Sequence, residues 1–301
     1  MRPECTIVAM SQATVADWWE AARPHTWANA FAPVIAGSGV AAFHSGFSWW
    51  RALLAAGVAW ALIIGVNYAN DYSDGVKGTD ADRTGPLRLT GSGLAAPAAV
   101  KRAAFIAFGV AGVFGIALSL ASYWWLILVG IVCILAAWFY TGGSNPYGYR
   151  GLGEVAVFTF FGLVAVCGTE LTQTGRFSWA GFATAVAVGS VSAAVNLANN
   201  LRDIPSDTEA GKITLAVRLG DSGTRTLWLL LTSVPLVVSV LLAFFCTPWA
   251  LLGLLAVVLL LPASRPITSG AVGPALIPVL GLTGRAMLAW AVLTAGALAF
   301  G

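Results

Sequence analysis

Nine mainly apolar runs, roughly residues 26–43, 49–70, 101–121, 123–141, 153–171, 178–200, 226–245, 248–263 and 284–300, follow one another through this chain. A bilayer core takes about 20 apolar residues per spanning helix. Backbone polar groups in lipid must be satisfied within the segment, which leaves helices or closed barrels. A barrel would alternate short polar and apolar steps, so the runs predict an all-α polytopic membrane protein of about nine transmembrane helices. Only 10% of the 301 residues are charged and 58% are hydrophobic, with a mean hydropathy of +0.82. Soluble domains carry roughly 25% charged residues.

Charge placement predicts the orientation. Fourteen of the sixteen Lys and Arg fall at the N-terminus and in alternate connections; only Arg51 and Arg176 lie on the other side. By the positive-inside rule, the N-terminus and those connections are cytoplasmic. Two of these, 71–100 and 201–225, are long and polar and hold eight of the thirteen acids. Residues 1–24 contain Glu4, Asp17 and Glu20 and no short apolar core, so no cleavable leader is expected. The four cysteines are scattered and form no CxxC pair, which supports neither a metal cluster nor a disulfide framework. A net charge of +3 does not point to nucleic acid.

Two stretches say nearly the same thing. VNYANDYSD (66–74) and VNLANNLRD (195–203) share five of nine positions at an offset of 129 residues, and both close an apolar run. The offset predicts two tandem four-helix repeats, about 22–141 and 151–263, followed by a final helix at 284–300. Repeats of this kind place functional sites at the interface between halves. Positions i, i+3, i+4 and i+7 share a helix face. Asn67, Asn70, Asp71 and Asp74 therefore form one polar stripe, and Asn196, Asn199, Asn200 and Asp203 a second. Asp207 extends the second if the helix survives Pro205.

Carboxylates at Asp71, Asp74, Asp80, Asp203 and Asp207, with carboxamides at Asn70 and Asn199, make an oxygen-only donor set. Such a set suits Mg²⁺, which keeps waters and bridges one or two carboxylates to substrate phosphates. Lys77, Arg83, Arg88, Arg202 and Lys212 supply cations for phosphate oxygens. Together they predict a diphosphate held at the membrane surface above a cavity between helices. An isoprenoid diphosphate fits, with its head in water and its tail in the apolar part. A cation-coupled transporter is the rival class, but its acids should lie near the bilayer midplane. His25 and His44 read as interfacial side chains.

NDYSD (70–74) together with DIPSD and GKITLAVRLG (203–220) resembles the paired aspartate motifs of the UbiA superfamily of membrane prenyltransferases. ARPHTWANAFAPVIAG (22–37) and YTGGSNPYGYRGLGEVAVFTFFGLVAVCGT (140–169) resemble its branch acting on 1,4-dihydroxy-2-naphthoate. The resemblance implies Mg²⁺-dependent polyprenyl transfer from an allylic diphosphate to that acid, with decarboxylation, in menaquinone biosynthesis at a bacterial cytoplasmic membrane. 4-Hydroxybenzoate and homogentisate are the alternative acceptors. It implies that Asn70, Asp74, Asn199, Asp203 and Asp207 hold metal and diphosphate, with Asp71 close by. The family's third aspartate would fall at Gly78, leaving Asp80 as its candidate replacement. Lys77, Arg88 and Lys212 would meet phosphate. Tyr140, Tyr147, Tyr149 and Arg150 would line the acceptor's side, with Arg23, Asn67 and Asn196 assigned there too and Arg150 facing the acceptor carboxylate.

Overall fold

A computed structural model describes residues 13–78 and 87–301. Asp80 and Arg83 lie outside the described residues. No strand occurs among those described. The helices are α1 (Val15–Ala21), α2 (Ala28–Phe43), α3 (Trp49–Lys77), α4 (Pro97–Leu120), α5 (Leu126–Phe139), α6 (Gly153–Val157), α7 (Gly168–Thr174), α8 (Trp179–Arg202), α9 (Ile204–Glu209), α10 (Leu215–Phe245), α11 (Val257–Thr268) and α12 (Ile277–Phe300). A π-helical stretch, Phe158–Cys167, joins α6 to α7 into one apolar rod, Gly153–Thr174. Among the described residues, seven helices are long and apolar enough to cross a membrane. The apolar helices α2 and α5 are shorter, at 16 and 14 residues. The protein is therefore multi-pass, and the expected count of nine meets seven by length and composition.

Several boundaries differ from those expected. The second run does not stop at residue 70: α3 continues to Lys77 and ends at Gly78, whose φ of 74° lets its N–H cap the last turn. Asp71 and Asp74 are thus helical and buried, not loop residues. The 201–225 segment is likewise mostly helical. The chain leaves helical geometry at Asp203 and restarts as α9 with Pro205 in its first turn, where a missing N–H costs nothing. α10 begins at Leu215 and passes a non-helical Gly220 (φ 69°) before its apolar part. Pro262 and Pro266 sit inside α11 without stopping it, and α12 starts at Ile277 rather than 284.

The core is built on small residues. Ala, Gly and Ser dominate the buried face of α8, which lies at the heart of the bundle against α10, α12 and the π-helical stretch. In lipid, close backbone approach replaces the hydrophobic drive for helix association. A Cβ on Gly162 would stand 2.5 Å from Gly189 Cα, so the rod carrying Gly162 can sit against α8 only because both positions are glycine. This close seat brings the start of that rod to the polar end of α8.

Candidate active site

The polar ends of α3 and α8 meet the head of a cavity of about 560 Å³. Asn70, Asp74, Asn196, Asn199 and Asn200 line it from these two helices, and Arg88 and Lys212 from the adjoining connections. Its walls farther down are apolar. Leu62, Ile116, Ile134, Phe160 and Phe161 belong to α3, α4, α5 and the π-helical stretch, and the cavity reaches Leu126 at the far end of the α4–α5 hairpin.

Each polar side chain at the head has a partner that fixes it. Thr141 Oγ donates to Asn70 Oδ1 at 2.8 Å, and its carbonyl accepts from Lys77 Nζ at 2.6 Å. Asp74 accepts from the Tyr149 hydroxyl at 2.5 Å and lies 3.4 Å from Arg88 Nη2. The Tyr149 ring is flanked by Lys77 Nζ at 4.8 Å and Lys212 Nζ at 5.2 Å, so the aromatic face spaces two cations. Lys212 Nζ also pairs with Asp207 at 3.3 Å. Asp71, 1% exposed, is turned elsewhere. Its two oxygens accept the Leu89 and Thr90 N–H groups at 2.7 and 2.9 Å, which shapes the turn that carries Arg88.

At the end of α8 the pattern changes. Arg202 grips its neighbour Asp203 through two bonds, Nε–Oδ1 at 2.6 Å and Nη2–Oδ2 at 2.8 Å, and Nη2 also reaches Asn199 Oδ1 at 2.9 Å. The other guanidinium nitrogen, Nη1, is buried without a hydrogen bond among the described residues. Asn196 and Asn200 both donate to Glu154 Oε1, at 3.1 and 2.7 Å. Tyr140 donates to Asn196 at 3.4 Å. Tyr147 lines the cavity but gives its hydroxyl to Ala136 O at 2.7 Å; burial pushes that phenol up to about 12, so it stays protonated.

The structure thus gathers Asn70, Asp74, Arg88, Tyr140, Tyr147, Asn196, Asn199, Lys212 and Arg23 around one cavity. It does not bring Asp71, Asp203, Asp207, Lys77 or Arg202 to the cavity wall. Asn67 lines the wall, yet its amide is committed to Ala22 O at 3.0 Å and Thr26 Oγ at 3.1 Å. Arg150, expected to face the acceptor carboxylate, is exposed and does not line the cavity.

Metal fits the donor chemistry. No three of His, Cys, Asp and Glu converge into a cage among the described residues. The head offers carboxamide and carboxylate oxygens from Asn70, Asp74 and Asn199. That suits a hard cation completed by water and substrate phosphate rather than by protein alone.

A helical membrane cavity with paired Asn/Asp heads and cations beside them defines a class that handles anionic, lipid-tailed molecules. Residues 30–270 match the UbiA prenyltransferase family, and the chain belongs to that family. It is 56% identical to the 1,4-dihydroxy-2-naphthoate octaprenyltransferase of Mycobacterium tuberculosis, over 96% of this chain and 99% of that one. It is 40% identical to the enzyme of the same description from Escherichia coli, over 82% and 83%. Its fold is shared by a UbiA homolog from Archaeoglobus fulgidus bound to DMAPP and Mg²⁺. The TM-score is 0.61 at 14% identity, covering 93% of this chain and 99% of that one.

Sequence reasoning missed Glu154 and Asn29. Glu154 is one acid opening an apolar run and reads as a membrane boundary, yet it is 4% exposed and knits α6 to α8. Asn29 lies one turn after ARPH and gives no periodic signal; it lines the cavity, and its Oδ1 is buried without a partner among the described residues.

Proposed function

We propose that this protein transfers a polyprenyl group from an allylic polyprenyl diphosphate to 1,4-dihydroxy-2-naphthoate, with loss of CO₂, on the way to menaquinone. The observation that carries this reading is a single cavity, polar and cationic at its head and apolar along the length of α3, α4 and α5. It matches a substrate with a charged diphosphate and a long hydrocarbon tail. The close relatives supply the acceptor.

In this reading Asn70, Asp74 and Asn199 hold Mg²⁺ with the diphosphate, and Asp203 and Asp207 stand next to them. Bound there, the ion would neutralise charge on the leaving diphosphate. Arg88 and Lys212 donate to its oxygens, and Arg202 braces Asp203 behind them. Each is most effective where water is excluded. The apolar walls keep water from the allylic cation, and Phe160 and Phe161 offer ring faces to it. Tyr140 and Tyr147 bound the acceptor's side of the head. Asp80 and Arg83 are assigned to the same head from sequence alone. In this reading the membrane is a bacterial cytoplasmic one, and the bias of Lys and Arg supports a cytoplasmic position for that head and the N-terminus.

The test uses purified protein in detergent with a long-chain allylic diphosphate, carboxyl-labelled 1,4-dihydroxy-2-naphthoate and Mg²⁺. Labelled CO₂ and a prenylated naphthoquinol, oxidised by air to the quinone on work-up, are expected, both abolished by EDTA. Mg²⁺-dependent retention of diphosphate without CO₂ release would move the reading to another aromatic acceptor. Loss of both would overturn it.

A further inference from the structure

Resting on that reading, the reaction still needs a group to take the proton that an acceptor hydroxyl loses as its ring attacks. Among the described residues lining the cavity, the titratable side chains are few. Asp74 is held by Tyr149 and Arg88. Lys212 is paired with Asp207. Tyr140 and Tyr147 already donate their hydroxyls to Asn196 and Ala136. His25 remains. No hydrogen bond engages its imidazole among the described residues.

The turn that carries His25 is built to present it. His25 sits in a single 3₁₀ turn, Pro24–Thr26, between α1 and α2. The turn is entered through Arg23 at φ 54°, a left-handed conformation uncommon for a side chain of this size. Asn67 clamps the turn to α3 by donating to Ala22 O and Thr26 Oγ, and Trp27 Nε1 adds a third bond to Ala22 O at 3.1 Å. Asn67 lies one turn before Asn70 on α3, so one helix holds both the diphosphate head and this turn. Arg23, His25 and Asn29 all reach the cavity from it.

We infer that His25 is the proton acceptor for the aromatic substrate, with Asn29 Oδ1 accepting a hydrogen bond from the acceptor's other hydroxyl. As the ring carbon bonds to the allylic carbon, the C–O bond to diphosphate breaks and its electron pair leaves with the diphosphate. The O–H pair of the hydroxyl closes into a ring carbonyl, and the proton passes to the imidazole, which releases it to water. The charged groups facing His25 are Arg23 on its own turn, Arg202 on α8 and Glu20 on α1. The His25 side chain keeps contact with solvent, and partial desolvation first, then the two arginines, hold its imidazole below the ordinary pKa, so it is neutral and receptive at pH 7.

The experiment compares wild type, His25→Gln and His25→Ala. All three should retain radiolabelled prenyl diphosphate equally in Mg²⁺, which checks folding and the head independently of transfer. kcat should fall about 10²-fold or more in both variants, as for loss of a general base. The acidic limb of the wild-type pH profile should disappear, and imidazole should restore part of the His25→Ala rate. Asn29→Ala should raise acceptor KM with little change in diphosphate retention. Wild-type kcat in His25→Gln, an unchanged acidic limb, or no rescue by imidazole would overturn the inference. Loss of diphosphate retention with His25 would instead make it a head residue and also overturn it. Failure of wild type itself to transfer would count against the functional reading, not against His25.

Discussion

α3 and α8 close on the same residue spacing, but the same spacing is put to different use. At the end of α3, Asn67 holds the Ala22–Trp27 turn, Asp71 holds the turn bearing Arg88, and Asp74 faces the cavity with Tyr149 and Arg88 upon it. At the end of α8, Asn196 and Asn200 hold Glu154, and Asp203 is gripped by its own neighbour Arg202. At Asp71 and its counterpart Asn200, polarity is exchanged: a carboxylate accepts from backbone N–H in one, and an amide donates to a carboxylate in the other. Helical periodicity puts four positions on a face, and the partner across the bundle then decides which of them meets the ligand. The α3 end presents its carboxylate to the cavity, whereas the α8 end braces the head and presents Asn199.

Chelation gives the largest test of this contrast. EDTA should reduce transfer to background and excess Mg²⁺ should restore it, as the proposal of one ion shared by both helix ends requires. Metal-independent transfer would leave the two stripes as structural. Next, Asp74→Ala should cost about 10²–10³-fold in kcat, the scale for loss of an electrostatic stabiliser in a dry site. Asp203→Ala should also cripple transfer, but with a larger drop in thermal midpoint, because Arg202 grips Asp203 through bonds of 2.6 and 2.8 Å whereas Arg88 meets Asp74 at 3.4 Å. Equal melting of the two variants would erase the distinction between a presenting and a bracing aspartate.

Much of this is legible in the amino-acid sequence. The apolar runs, the shared spacing and the cations beside it follow from hydropathy and the i, i+3, i+4, i+7 rule, and they single out the two helix ends that head the cavity. The register of the stripes is legible; their depth is not. An acid near a helix end reads as a loop residue because nothing local can satisfy it in lipid. Here Asp71 is satisfied by Leu89 and Thr90, eighteen and nineteen residues on, and Asp74 by Tyr149, 75 residues on. Such donors leave no periodic trace. Glu154 escapes for the same reason, because its partners Asn196 and Asn200 lie 42 and 46 residues away.

Exchanging residues between the ends probes the comparison more finely. Asn200→Asp would set a second carboxylate against Glu154 where an amide now donates at 2.7 Å. Losing that charge-assisted bond costs about 1.5–3 kcal/mol, so a clear fall in thermal midpoint is expected. Asp71→Asn should cost less, about 1–2 kcal/mol, since the amide oxygen still accepts one of the two N–H groups. Its kinetic mark should be a diphosphate KM raised a few-fold, with the acceptor KM unmoved, because the turn it shapes carries Arg88. A rise in acceptor KM alone would detach that turn from the diphosphate.

The smallest expected effect separates two arginines. Arg150 ends the Tyr147–Arg150 turn with its side chain exposed, and its carbonyl is tied down by Arg218 Nη2 at 3.0 Å. Arg23 lines the cavity from a turn clamped to α3. Arg23 lines the cavity and Arg150 does not, although both flank the head in sequence terms. Arg150→Ala should therefore leave acceptor KM within about twofold, the near-neutral behaviour of exposed positions. Arg23→Ala should raise it about tenfold or more, as a lost charge-assisted bond to a carboxylate requires. Steady-state titration of the acceptor at saturating diphosphate reads both. A tenfold rise in Arg150→Ala would mean that this loop folds over the bound acid, and the acceptor would then be held from the 140–150 side of the head rather than from the turn before α2.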